Sequence, residues 1–248
     1  MVTRMQFGMN SNRRAAALLL TLATTCGLAN AGAPAEALEP SDAPGVYVTE
    51  GGWGRLTLGP ATAQGQAIAI HSAGANGHSC TLNGGQLTGR QARWPTDAQV
   101  CQVELTPIVG GGWALASLTP EACRYFCGAR AGFEGDYWPL PPACEEVAWR
   151  RSGEAFLAAY RGRDYARALD IQHQRLQACE GQLFWLQAFQ VRNDLAITQF
   201  HAGQKAACLA TLKSILAQSL SDLAPADAEG FAPILKAARF NQRQCQRR

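Results

Sequence analysis

The spacing of apolar residues differs between the two parts of the chain. From Gly45 to Leu118, apolar and polar residues alternate in short runs bounded by glycine, which is typical of half-buried β-strands. Beyond Pro142, apolar residues recur at spacings of three and four, which predicts amphipathic helices joined by short turns. The predicted fold class is therefore α+β: a small antiparallel β-barrel or sandwich over residues 45–142, followed by a helical-hairpin domain over residues 143–248.

Seven short strands are expected in the β domain. Asn83-Gly84-Gly85 predicts a hairpin turn because Asn and Gly tolerate positive φ, and Gly110-Gly111-Gly112 predicts another connection. A helical turn within residues 122–127 is expected to close the barrel, and residues 135–138 are expected to form an extended crossing into the second domain. The strands are expected at residues 46–48, 56–58, 67–70, 80–82, 86–88, 100–105 and 113–118.

Five helical segments are expected in the second domain. The third of them carries Arg192, Asn193 and Asp194, which interrupt its apolar face. Arg192 and Asp194 face apart on a helix, so each is expected to meet another helix or a ligand. Pro233 is expected to begin or kink the final segment. The segments are expected at residues 145–160, 164–178, 182–202 and 204–220, with a last one reaching residue 245.

The turn Asp164-Tyr165-x-x-Ala168 resembles the helix-to-helix turn of tetratricopeptide repeats. A second unit keeps the small residue at Ala196 and the turn glycine at Gly203, but it has Cys208 where alanine is usual. The resemblance covers under half of the chain and implies a helical scaffold that binds a partner, with no catalytic residue to carry over. The β domain resembles small periplasmic barrels that inhibit lysozymes, through export, size and disulfide content and not through a motif.

The N-terminus has the three parts of a secretory signal. Arg4, Arg13 and Arg14 precede a short apolar core over residues 15–28, and Ala29-Asn30-Ala31 offers a cleavage site. Residues 1–31 are therefore predicted to be a signal peptide, followed by a disordered, acidic lead-in over residues 32–44. No membrane span is predicted, and the mature chain is expected in the periplasm or outside the cell.

Eight cysteines remain once the signal peptide is removed, and an even number in an exported chain predicts a disulfide framework. Antiparallel helices would bring Cys144 to Cys179 and Cys208 to Cys245. Cys123 and Cys127, four residues apart on a helical turn, are close enough to bridge. That leaves Cys80 with Cys101, across strands that are expected to be neighbours. The eight are Cys80, Cys101, Cys123, Cys127, Cys144, Cys179, Cys208 and Cys245.

The sequence offers little support for chemistry at a metal or a cofactor. The histidines lack metal-site spacing, and the Gly110–Gly112 run lacks the Lys-Ser and helix start of a phosphate loop. We therefore expect no metal, no cofactor and no nucleic-acid partner. In the run Asn76-Gly77-His78-Ser79-Cys80, adjacent side chains on a strand point to opposite faces. An exposed His78 that serves binding is favoured over a nucleophile.

Two candidate binding surfaces follow from these patterns. Arg124, Tyr125, Arg130 and Phe133 cluster around the Cys123–Cys127 turn, where glycines are expected to leave them on a compact projection. Arginine with aromatic residues is typical of interface hot spots, although arginines that tie a loop to its scaffold would explain the same composition. His78 would join this surface if its turn lies at the same end. Arg192, Asn193 and Asp194, on the concave face of the repeats, form the second candidate.

The leading interpretation is an exported protein-interaction module that is not an enzyme. Its sharper form is an inhibitor or immunity-type protein against a cell-wall hydrolase. Residues 32–144 carry five Arg against nine acids, and such an acidic half would suit a basic enzyme. The alternatives are a cell-wall hydrolase acting through acidic residues of the β domain and a structural component of the envelope. The acids in question are Glu104, Glu121, Glu134 and Asp136.

Overall fold

The computed structural model describes residues 44–247. The predicted signal peptide and all of the predicted lead-in except Pro44 lie outside these residues. Eight antiparallel strands form a closed barrel in which each strand pairs with the next, and the last pairs with the first. The strands are β1 (Gly45–Val48), β2 (Gly54–Thr62), β3 (Gly65–Ala73), β4 (Ser79–Thr88), β5 (Gln91–Pro95), β6 (Val100–Ile108), β7 (Gly112–Ser117) and β8 (Gly135–Pro139).

Six α-helices complete the described chain, so the predicted α+β class with an N-terminal barrel is confirmed. α2 begins just beyond the boundary predicted near Pro142. Pro233 lies inside α6, not at its start. The helices are α1 (Pro120–Cys123), α2 (Glu146–Arg161), α3 (Tyr165–Cys179), α4 (Trp185–His201), α5 (Lys205–Ala217) and α6 (Pro225–Gln246).

Side chains fill the barrel interior. Along each strand every second residue points inward, and an eight-stranded barrel is just wide enough for those side chains to meet. Trp94 and Tyr137 are the largest of those that are completely buried, at most 1% exposed, and Trp113 is 3% exposed. The barrel interior is therefore a packed core, and candidate sites must be sought on its outside and at its ends.

The hairpin predicted at Asn83-Gly84-Gly85 is wrong, because these residues lie within the single strand β4. The β3–β4 register shifts there, from Ile68 opposite Gly85 to Ile70 opposite Leu82, which marks a bulge. Gly84 has φ +70°, and a Cβ on Gly85 would overlap the indole of Trp94. Glycine is needed here for the bulge and for the close approach of Trp94.

Two strands were not predicted as strands. β5 lies between β4 and β6, and the extended crossing predicted at residues 135–138 is the closing strand β8. β8 pairs with β7 on one side and with β1 on the other, so barrel closure accounts for its extended backbone. A five-residue strand carries little periodicity of its own, and its strand character depends on neighbours distant in sequence.

The structure contains four disulfides, and two of the predicted pairings are confirmed. Cys144 bonds to Cys179 and Cys208 bonds to Cys245, with Cα–Cα distances of 5.6 and 6.1 Å. Both bonds join the ends of antiparallel helices, as the helix order predicts.

The two pairings predicted for the barrel are wrong. Cys80 bonds to Cys127, and Cys101 bonds to Cys123. Cys80 lies on β4 and Cys101 on β6, and β5 separates these strands. The missed strand is therefore the reason for the incorrect pairing.

Barrel and helices meet at the short 3-10 turns between β1 and β2 and between β3 and β4. A Cβ on Gly52 would overlap the backbone between Gln182 and Phe184, so the first turn lies directly against the segment before α4. Asn76, in the second turn, accepts a hydrogen bond on Oδ1 from the N–H of Ala226 and donates its own N–H to Asp227 Oδ2, both at 3.1 Å. A barrel side chain therefore caps α6, which has no N-cap bond from its own preceding residue.

We predict that Asn76→Ala destabilises the protein by about 1–2 kcal/mol, the usual cost of losing a helix N-cap. Alanine also adds strain, because Asn76 has φ +58°. Asn76→Gly keeps this backbone conformation and loses only the side-chain bond, so it should cost less than alanine. Urea unfolding at equilibrium measures both. Equal stability of all three proteins would contradict a capping role.

Candidate binding surface at the junction end of the barrel

Four connections meet at one end of the barrel, which we call the junction end. They are residues 49–53 between β1 and β2, residues 74–78 between β3 and β4, residues 96–99 between β5 and β6, and residues 118–134 between β7 and β8. The helical region contacts the same end through Gly52 and Asn76. Side chains from both parts of the molecule can therefore form one surface here.

The long connection over residues 118–134 is held to the barrel by two disulfides, and three hydrogen bonds hold residues 128–132 within it. Cys101–Cys123 ties α1 to β6, and Cys80–Cys127 ties the following turn to β4. The hydrogen bonds run from Gly128 N–H to the Ser79 carbonyl (2.9 Å), from Ala75 N–H to the Arg130 carbonyl (3.3 Å) and from Ser72 Oγ to the Gly132 carbonyl (2.7 Å). The backbone of this connection is thus restrained along most of its length.

Tyr125 and Arg124 project from this restrained segment. Tyr125 is 79% exposed, and its ring contacts Phe126 edge-on, with centroids 5.2 Å apart. Arg124 pairs with Glu121 at 3.4 Å, but both side chains are more than three-quarters exposed, so the pair is weak and easily exchanged for another partner. Arg130 is also exposed. These three residues form the accessible part of the predicted projection.

The prediction that Phe133 lies on the projection is wrong. Its side chain is 3% exposed and belongs to the barrel core, and its carbonyl accepts a hydrogen bond from the Tyr137 hydroxyl at 2.7 Å. The sequence places Phe133 in a glycine-rich stretch, which suggested an exposed loop. The segment instead turns inward before β8, because an aromatic side chain is needed to cover this end of the core.

His78 also lies at the junction end of the barrel, which was the condition for it to join the surface with Arg124, Tyr125 and Arg130. A Cβ on Gly128 would lie 2.6 Å from its Nδ1, so the imidazole packs directly against the turn after Cys127. The side chain is half-buried and lines a groove of about 430 Å³ between barrel and helices. The predicted loop residues and His78 therefore belong to neighbouring parts of one surface.

One wall of this groove is the outer face of three strands. Arg55 lies opposite His71 in the β2–β3 pair, and His71 lies opposite Thr81 in the β3–β4 pair, so the three form a row across the sheet. Phe184, just before α4, and Asp227, in the first turn of α6, form the other wall. The sequence analysis missed these groove residues because they come from five separate segments. Only the alternation on β2 and β3 indicated that Arg55 and His71 face outward.

The groove has one arginine and one carboxylate among its lining residues. None of the ion pairs among residues 44–247 involves Arg55, and the Asp227 carboxylate already accepts the N–H of Asn76. Two imidazoles line the groove beside that guanidinium. Within the described residues, no three His, Cys, Asp or Glu side chains are grouped so as to hold a metal ion. The groove is therefore suited to binding acceptor groups such as carboxylates.

The second candidate surface, on α4, does not form a single site, because its three residues point in different directions. Arg192 pairs with Glu180 and lines a groove between α3 and α5. Asn193 is 2% exposed and joins α4 to α6: its Nδ2 donates to the Ile234 carbonyl at 2.9 Å, and Asn241 Nδ2 donates to its backbone carbonyl at 3.2 Å. Asn193 is therefore a packing residue.

Asp194 faces Arg175 and the interior of the helical region. Burial raises the pKa of this carboxyl to about 6, while a hydrogen bond from Gln190 and the nearby Arg175 cation act in the opposite direction. Arg175 itself stacks on Trp149, 3.7 Å from the ring centroid, and donates to the Trp149 carbonyl and to Ser152. No partner of Asp194 compensates fully for its burial, so its ionised form destabilises the folded chain.

No protein-family model, curated protein or solved structure matches this chain.

We predict that Asp194→Asn stabilises the protein near neutral pH. The folded-state pKa is raised above the ordinary value of about 3.9, so the folded chain holds this proton more tightly than the unfolded chain, and stability is lost as pH rises from about 4 to about 6. Asparagine does not ionise, so Asp194→Asn should raise the free energy of unfolding by about 2 kcal/mol near pH 7. The gain should shrink toward pH 4.

Urea unfolding of both proteins across this pH range is the measurement. Asp170→Asn is the matched control, because Asp170 is an exposed aspartate on α3. A gain that is independent of pH, or that equals the gain of the control, would contradict the assignment.

Proposed function

We propose that this protein is an exported binding protein that engages another protein through the junction end of its barrel. The observation that carries the proposal is Tyr125, a tyrosine that is 79% exposed on a segment tied to the barrel by Cys101–Cys123 and Cys80–Cys127. Tyrosine and arginine are enriched among interface hot spots, and Arg124 and Arg130 are exposed beside it. A restrained segment also loses less conformational entropy on binding than a free loop.

Export is supported by the N-terminal signal pattern and by the disulfides. Disulfides form and persist in oxidising compartments, and all eight cysteines of residues 44–247 are paired. Within the described residues, no helix is long and apolar enough to cross a bilayer. A periplasmic or secreted location remains part of this proposal, as does cleavage after Ala31.

A repeat-like role for the helices as a supporting scaffold is part of the same proposal. Asp164 caps α3 by accepting a hydrogen bond from the Arg167 N–H at 3.2 Å, and Ala168 is completely buried in the turn. Gly203 has φ +78° at the corresponding turn before α5. These features support a likeness to tetratricopeptide hairpins, whose helices stack and present side chains to partners.

Inhibition of a basic cell-wall hydrolase is the narrower form of the proposal. The acidic excess of the N-terminal half lies mainly in the predicted lead-in, because residues 44–142 carry five Arg against six acids. Glu36, Glu39 and Asp42 supply the remaining acidic excess of the N-terminal half. Electrostatic attraction to a basic partner would therefore come from the lead-in, with Tyr125 providing contact area.

The hydrolase alternative lacks a comparable geometric observation. Glu121 pairs with Arg124, and Glu134 accepts the N–H of Ser117 at 2.8 Å. None of the four candidate acids lines the junction-end groove. We therefore predict that the purified protein releases no soluble product from peptidoglycan, and turnover by the protein alone would contradict the binding proposal.

We predict that Tyr125→Ala weakens partner capture by about 30-fold, the usual scale for loss of a hot-spot side chain. Stability should change by less than about 0.5 kcal/mol because the side chain is exposed. Affinity capture from a periplasmic extract, quantified against the unmodified protein, measures the first effect, and thermal unfolding measures the second.

Val109→Ala is the matched control. Val109 is 97% exposed in the β6–β7 turn, at the opposite end of the barrel, and its truncation should leave capture unchanged. Equal loss of capture in both variants would place the contact elsewhere. A Tyr125→Ala protein that unfolds would show that the loop serves stability instead.

A further inference from the structure

The outer face of α6 is a row of exposed cations around one aromatic side chain. Helical spacing places Lys236, Arg239, Phe240 and Arg243 along one stripe about 10 Å long, at 1.5 Å per residue, and Arg247 follows directly after the helix. Phe240 is 50% exposed, and the sequence contains no acidic residue from Gly230 to Arg247. We call this surface the basic face of α6; its members are Lys236, Arg239, Phe240, Arg243 and Arg247, all exposed.

The opposite face of α6 keeps this row in place. Phe231, Ile234, Leu235 and Ala238 are buried in the core of the helical region, so the helix cannot rotate without losing that packing. The disulfide from Cys245 to Cys208 ties its C-terminal end to α5. Lys205 of α5 donates to the Arg247 carbonyl at 2.8 Å, which adds another cation at that end.

Helix stability does not account for the whole row. Cations favour the C-terminal end of a helix because they offset its dipole, which explains Arg243 in the last turn of α6 and Arg247 just after it. Lys236 and Arg239 lie farther from the end, where this effect has faded. Each of the three ion pairs among the described residues involves other arginines, so no carboxylate within 4 Å offsets these cations there. The helix dipole does not explain the half-exposed Phe240 among them either.

The composition fits an anionic surface of broad extent. Lysine and arginine near an anionic bilayer are each attracted by its surface potential, and an aromatic side chain can enter the region of the headgroups. The residues of the basic face line neither the groove at the junction end nor the groove between α3 and α5. A row outside these grooves gives an acidic peptide no walls to define its position, whereas a flat layer of headgroups needs none.

We propose that the basic face of α6 binds this protein to the surface of a membrane containing anionic phospholipids, with Phe240 entering the headgroup region. This function is independent of partner binding at Tyr125, which lies on the barrel. Attraction should fall steeply with salt, because the contacts are electrostatic and exposed.

The test is sedimentation of the purified exported protein with vesicles of phosphatidylcholine alone and with vesicles that also contain phosphatidylglycerol. The protein should bind only the second kind and should be released by added salt. The triple variant Lys236→Gln, Arg239→Gln, Arg243→Gln should lose about 100-fold in partitioning, at about fivefold per cation. Phe240→Ser should lose several-fold while keeping the salt dependence.

The matched control removes the same net charge elsewhere, by Arg151→Gln, Arg161→Gln and Arg167→Gln at exposed positions of α2 and α3. It should bind as the unmodified protein does, and thermal unfolding should show that both triple variants fold. Equal loss in both triple variants, or no binding of the unmodified protein to anionic vesicles, would overturn the proposal. Tighter binding to polyglutamate than to anionic vesicles would also overturn it, in favour of an acidic protein partner.

Discussion

Residues 74–80, the connection between β3 and β4 and the start of β4, hold three parts of the molecule together. Cys80 is bonded to Cys127, which attaches the long β7–β8 connection to the barrel. Four residues earlier, Asn76 exchanges hydrogen bonds with the first turn of α6, which attaches the helical region. The position of Tyr125 and the shape of the groove beside His78 both depend on this short segment.

This arrangement explains why the candidate surface combines residues that are distant in sequence. The barrel interior is filled by aromatic and aliphatic side chains, Trp94 and Tyr137 among them, so it has no room for a ligand. Exposed features are therefore confined to the outer faces of the strands and to the connections. At the junction end these connections are restrained by disulfides and by α6, so that they can present side chains without large conformational loss on binding.

Polar residues in the helical region serve different purposes according to burial. Asn241 donates to the backbone carbonyl and to Oδ1 of Asn193, and Asn193 donates to the Ile234 carbonyl, so hydrogen bonds join α4 to α6 within the core. The ionised form of Asp194 remains unfavourable, because burial raises the pKa of this carboxyl more than the hydrogen bond from Gln190 and the Arg175 cation lower it. On α6, by contrast, the cations are solvated, so they neither disturb the core nor contribute much to it.

The fold class, the helix order and the two disulfides of the helical region could be predicted from the sequence. Those features follow from hydrophobic period and from the alternating direction of successive helices, which are local properties of the chain. The sequence also indicated the loop that carries Arg124, Tyr125 and Arg130. Whether this loop lies near His78 depends only on which end of the barrel each connection occupies.

The barrel disulfides, the bulge at Gly84 and the burial of Phe133 depend on contacts between strands and connections that are distant in sequence. β5 is too short to be identified from its period, and its position between β4 and β6 keeps Cys80 and Cys101 from bonding. In the sequence, Gly85 is typical of a turn, and its close contact with Trp94 is visible only in the folded barrel. The groove residues Arg55, His71, Phe184 and Asp227 meet only because Asn76 joins α6 to the barrel, and no local pattern in the chain encodes that contact.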